Sequence, residues 1–113
     1  MPAYAIGLLT DLQFGPDIVI YQQRIDATLT SFGGAFLAHG ARAETKKGAF
    51  DGDCIIIRFP SLQQARAWYD SPVYAALIPL RAQHAHSTVF LLEGVDGADY
   101  RADSLLEKLG VKA

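Results

Sequence analysis

Two groups of polar side chains carry whatever chemistry this chain performs. The first lies in stretches read as strands: His39, Glu44 and Arg58. The second lies on a helical corner: Trp68, Tyr69, Tyr74 and Arg81. Brought together, they would make an apolar cleft with a few polar groups, the usual make-up of a small-molecule site. There Arg81 would clamp a carboxylate bidentately, His39 would move a proton as acid or base, and Trp68 with Tyr74 would stack on a ring. Arg58 is expected beside them, because a charged group in a buried strand needs a partner or a purpose. The plainer alternative makes Trp68 and Tyr74 core residues, since aromatic stripes at helical spacing mostly pack. It pairs Arg81 with a nearby carboxylate such as Asp70.

Other reactive types are less promising. His84-Ala-His86 would put two rings on one side of an extended segment, and His39 would complete a three-nitrogen metal site. With no carboxylate or Cys beside them in sequence, a polar helix-to-strand connection is the simpler account, and no metal is expected. Cys54 sits in a strong strand, where a thiol packs rather than attacks. No Gly-x-Ser-x-Gly elbow, phosphate-binding glycine loop or dinucleotide fingerprint occurs, so hydrolase, kinase and dehydrogenase readings have no support. No cofactor is expected, and whether the protein is an enzyme is open.

The elements that must position these residues can be read from period and punctuation. Residues 3–9 are a short apolar run without charge, read as a first strand buried on both faces. Gly15-Pro16 reads as a break. Ile18, Tyr21, Ile25, Leu29 and Phe32 then recur at three- and four-residue steps, one stripe of a helix that Gly33-Gly34 ends. Ala35 to His39 reads as a second strand with a bulge at Gly40, and residues 41–47 as its half-exposed extension. A turn-rich connection over Gly48 to Gly52 leads to Cys54–Phe59, whose three consecutive isoleucines predict the clearest strand. Ser61 caps a helix with Gln64 completing a capping box, and Ser71-Pro72 restarts one. Pro79 should break or kink that second piece. Thr88 to Glu93 reads as the last strand, and residues 103–109 as a short terminal helix ending at Gly110.

At 113 residues the chain suits one domain with a substantial core. Half its residues are hydrophobic and mean hydropathy is +0.14, apolar for so small a domain, which points to a homo-oligomer. Net charge is −2 with Lys and Arg scattered, so no basic stripe is available for nucleic acid. The single Cys cannot form an internal disulfide. Apolar runs fall short of a membrane span, the N-terminus has no signal-peptide pattern, and without Asn there is no N-glycosylation acceptor. A cytoplasmic protein with no membrane or nucleic-acid partner is expected.

The order strand, helix, strand, strand, helix, strand is the ferredoxin-like βαββαβ arrangement: an α+β fold with a four-stranded antiparallel sheet and helices on one face. Covering one face leaves the other bare, yet the strands look apolar on both. Two copies packing sheet to sheet would resolve this, so a homodimer is expected.

The segments Gly33-Gly-Ala-Phe-Leu-Ala-His-Gly40, Phe59-Pro-Ser61, Trp68-Tyr-Asp-Ser-Pro-Val-Tyr74, Leu80-Arg81 and Leu91-Leu-Glu-Gly-Val95 resemble the domain of unknown function 1330 family. The resemblance implies a domain over residues 1–95 followed by an extension, 96–113, that lies outside the pattern. It also implies kinship with the dimeric α+β barrel proteins, which include cofactor-free monooxygenases, isomerases and haem proteins. Where the family often has Arg, this chain has His39. An anion bound there would be held less well as pH rises, because His titrates near neutrality and Arg does not.

Overall fold

The sheet is built around β1 (Ala3–Thr10), which pairs antiparallel with both β3 (Asp53–Phe59) and β4 (His86–Glu93). The short β2 (Ala35–Ala38) adds to the free edge of β3, giving the order β2-β3-β1-β4. Helix α1 (Pro16–Leu29) makes the crossover from β1 to β2. Three helical pieces, α2 (Leu62–Asp70), α3 (Pro72–Ala75) and α4 (Ile78–Ala82), make the one from β3 to β4. A short α5 (Ser104–Lys108) follows in the tail. The structure, a computed structural model, describes residues 1–111. This is the expected α+β arrangement of a four-stranded antiparallel sheet with helices on one side.

Register decides which residues meet the helices. Ala3 lies opposite Phe59, and Ala5 opposite Ile57 and Leu91. All except Leu91 are fully or almost fully buried, and Leu91 packs against the same core. The small alanines bring the sheet close to the aromatic side chains of α2 and α3. The alternate residues Tyr4, Ile6, Leu8, Ile56, Phe90 and Leu92 fall on the opposite face, as the two-residue period of a strand requires.

Helix α1 starts at the Gly15-Pro16 pair instead of after it. Proline's missing N–H sits where no intrahelical partner exists, so the pair begins the helix. Ile18, Tyr21, Ile25 and Leu29 form its buried stripe. A 3₁₀ turn over Thr30–Phe32 ends at Gly33, whose φ of 71° places it in the left-handed region. At the other crossover, the Ser61 hydroxyl accepts the Gln64 N–H (3.2 Å) and the Ser71 hydroxyl accepts that of Tyr74 (3.3 Å). Pro79 lies in the first turn of α4, so the expected break is also a new start.

Three local expectations are corrected. The register slips between Phe36 and Ala38, before Gly40. Gly40 instead takes a φ of 86° in the loop. Residues 41–47 are an exposed irregular loop, because their alternating charges and small side chains leave no apolar face to bury. Strand β4 begins at His86, held by pairing with Thr10. Among the described residues no helix is long and apolar enough to cross a membrane.

Candidate functional site

Between α1, α4 and the middle of the sheet lies a cavity of about 190 Å³. Its floor is formed by Tyr21 from α1, Trp68 from α2, Tyr74 from α3 and Arg81 from α4. Ile18, Ile25, Phe36 and Ile57 form apolar walls. Exposed Phe14 and His39, with Leu12, mark the mouth.

The floor is rigid for reasons visible in the helical corner. Three consecutive short helices turn the chain so that Trp68 and Tyr74 meet in a tilted pair, ring centroids 4.0 Å apart and planes inclined by 35°. Phe59 lies under Trp68 at 5.3 Å, and Tyr21 meets Tyr74 edge-on at 6.3 Å. Such aromatic pairs each add about 0.5–1.5 kcal/mol beyond their burial. Polar tips are satisfied locally. Trp68 Nε1–H donates to Thr28 Oγ1 (3.0 Å), and that hydroxyl donates to the Ile25 carbonyl (2.7 Å). The Ser71 hydroxyl donates to the Trp68 carbonyl (2.7 Å), locking the α2–α3 corner.

Arg81 breaks this pattern. Its residue is only 5% exposed, yet its Nε has no hydrogen-bond partner. Among the described residues no carboxylate lies within ion-pair distance, so the expected alternative pairing with Asp70 does not form. An N–H sealed from water with no acceptor costs on the order of 1–3 kcal/mol, more when the group is charged. Its neighbours are two tyrosine hydroxyls, Tyr21 and Tyr74, 2.8 Å from each other, one donating to the other. Burial pushes both hydroxyls above the usual tyrosine range; Arg81 pulls both back without offsetting it. Both phenols stay neutral, so they cannot serve as counter-ions to the guanidinium.

Of the residues singled out by sequence, the cavity brings together His39, Trp68, Tyr74 and Arg81. His39 is exposed at the rim, its ring stacked on Phe36 with centroids 4.5 Å apart. Trp68 and Tyr74 are core residues and floor residues at once, so packing and lining do not exclude each other. Arg58 does not join them. It is exposed on the opposite face, in register with Tyr4 and Ala35, because its neighbours Ile57 and Phe59 take the inward positions. Glu44 pairs with Lys46 (3.4 Å) in the exposed loop, and Tyr69 packs beside Trp68 without reaching the cavity. Cys54 is half-buried on the outer face. The two histidines diverge: His84 Nε2 lies 2.9 Å from Asp17 Oδ2, and His86 Nδ1 lies 3.6 Å from Asp11 Oδ2.

Sequence reasoning missed Tyr21 and Phe36 as lining residues. For Tyr21 a signal existed: a hydroxyl within the buried stripe of α1 needs a polar partner, which turns out to be Tyr74. Phe36 gave none, since a phenylalanine on an edge strand reads only as packing.

No curated protein matches the chain. Two crystal structures share its fold. RPA0582, a protein of unknown function from Rhodopseudomonas palustris, is 20% identical with a TM-score of 0.62, over 84% of this chain and 83% of that one. Methylated RPA0582 is 17% identical with a TM-score of 0.63, over 87% and 84%. Residues 2–95, which contain all four strands and helices α1 to α4, match the family described as domain of unknown function DUF1330, and the chain belongs to that family.

Proposed function

We propose that this protein binds a small organic anion in the cavity, anchored by Arg81, with Trp68 and Tyr74 as the surface it rests on. The observation that carries this is a buried cation without a counter-ion at the bottom of an apolar cavity. A protein keeps such a charge only against a free-energy penalty, which a bound anion relieves. The proposal includes a cytoplasmic homodimer with outer sheet faces packed together. In support, Tyr4, Ile6, Leu8 and Ile56 are only half-buried there, with Phe90 and Leu92 41% and 53% exposed. Cys54 is a free thiol, compatible with a reducing compartment.

A second reading, a cofactor-independent isomerase or monooxygenase with His39 as acid or base, is favoured by the His39 ring at the cavity mouth. An oligomerisation domain with no ligand is the third, and the unpaired Arg81 counts against it.

Melting curves of wild type and Arg81→Met against a panel of carboxylic acids test the binding reading. A ligand at tenfold above its Kd stabilises by ~1.4 kcal/mol, a rise of about 6 °C or more for a domain this size. The rise is expected in wild type and not in Arg81→Met. His39→Ala in the same panel should keep the rise; if it also keeps every conversion of the bound acid seen in wild type, the enzymatic role of His39 is wrong.

A further inference from the structure

The polar equipment of the floor is small enough to count. Trp68 Nε1–H and the Thr28 hydroxyl are spent on one another and on the Ile25 carbonyl. Of the two phenols, whichever hydroxyl accepts from the other keeps its own hydrogen, and no third partner takes it among the described residues. The floor therefore presents one guanidinium and one spare O–H. That set fits a group with a single negative charge and two oxygens in a plane. Phosphate brings three terminal oxygens and up to two charges, and would leave charge unmatched in a desolvated site. At the far end, where His39 stands at the mouth, Asp53 also borders the cavity, and its carboxylate disfavours a second carboxylate on the same ligand. Between these ends the walls are Ile18, Ile25, Phe36 and Ile57, which favour an apolar body.

We propose that the cavity takes a monocarboxylic acid head-first, its carboxylate on Arg81 and the spare O–H of the Tyr21–Tyr74 pair, its apolar body running past Phe36 and Ile57 toward the mouth. This rests on the reading of Arg81 as an anion anchor and names the anion's class. It makes the site selective by charge count: monoanions over dianions, and acids over their amides.

Calorimetric titration of the full chain with hexanoate, phenylacetate, hexanamide, adipate and hexyl phosphate tests it. At least one of hexanoate and phenylacetate binds, while adipate and hexyl phosphate bind at least tenfold more weakly than it and hexanamide is silent. Replacing both phenols together (Tyr21→Phe with Tyr74→Phe) removes donor and acceptor without changing shape, so the fold survives. Circular dichroism checks this, and the double variant should bind the acid about tenfold more weakly. Adipate or hexyl phosphate binding as tightly as the monoacids, with Arg81→Met abolishing it, overturns the monocarboxylate assignment while the anion anchor stands. If neither monoacid nor either dianion binds wild type, both readings fall.

Discussion

Arg81 and the two tyrosines beside it form a buried polar cluster with an unequal outcome. The two hydroxyls share one hydrogen bond that leaves one O–H spare, and the guanidinium Nε has no partner at all. The raised values of Tyr21 and Tyr74 have a consequence for stability. Below the ordinary tyrosine value of 10.0, folded and unfolded chains both hold these protons, and pH has no leverage through them. Above it, the unfolded chain releases protons that the folded one retains, so stability falls as pH rises, by up to ~1.4 kcal/mol per pH unit per tyrosine. Urea denaturation from about pH 9 to about pH 11 should show this decline, shallower in the Tyr21→Phe, Tyr74→Phe double variant. An identical slope in both proteins would remove these phenols as its source. At this scale the helical-corner residues Trp68, Tyr74 and Arg81 were legible from residue type and spacing. Arg58 was not, because which parity of β3 faces inward depends on its pairing with β1, and strand spacing alone does not phase a sheet.

The crossovers hold the site together, and their punctuation was the most readable part of the chain. Ser61, Ser71-Pro72 and Gly33-Gly34 all mark boundaries where the local chemistry demands them. The loop over residues 41–47 and the slip before Ala38 were not readable, since an edge strand's extent is decided by its neighbour's hydrogen bonds. Gly34 shows how tightly the α1–β2 turn meets the core: a Cβ there would lie 2.8 Å from Phe59 Cε1 and 2.9 Å from Leu29 Cδ2. Phe59 is fully buried and Leu29 nearly so, leaving little room to move aside. Gly34→Ala should therefore destabilise by about 1–3 kcal/mol, as overpacking does. A melting point within a degree of wild type would show that the ring shifts freely.

Over the whole molecule, the expectation drawn from composition was surplus apolar surface, and the fold shows where it lies. Half-buried Ile6, Leu8 and Ile56 with exposed Phe90 and Leu92 make one outer sheet face. Leu105, Leu106 and Leu109 of the tail are exposed as well. The radius of gyration, 16.3 Å, exceeds the ~13 Å of a compact chain of about 100 residues. The proposed twin copy would cover the sheet face. Light scattering should give a mass of two chains, and Phe90→Glu, placing a charge in that contact, should shift it toward one. A wild-type mass of one chain at micromolar concentration would reject the dimer.

Whether Arg81 is a charge kept for a ligand is tested most directly by the unfolding of wild type and Arg81→Met without any added acid. Removing a buried, unpartnered cation while keeping an apolar side chain should leave the variant as stable as wild type or more so, by about 1 kcal/mol or more. An Arg81→Met protein less stable than wild type by about 3 kcal/mol or more, the signature of breaking a buried pair, would mean that the guanidinium has a structural partner and would contradict the account.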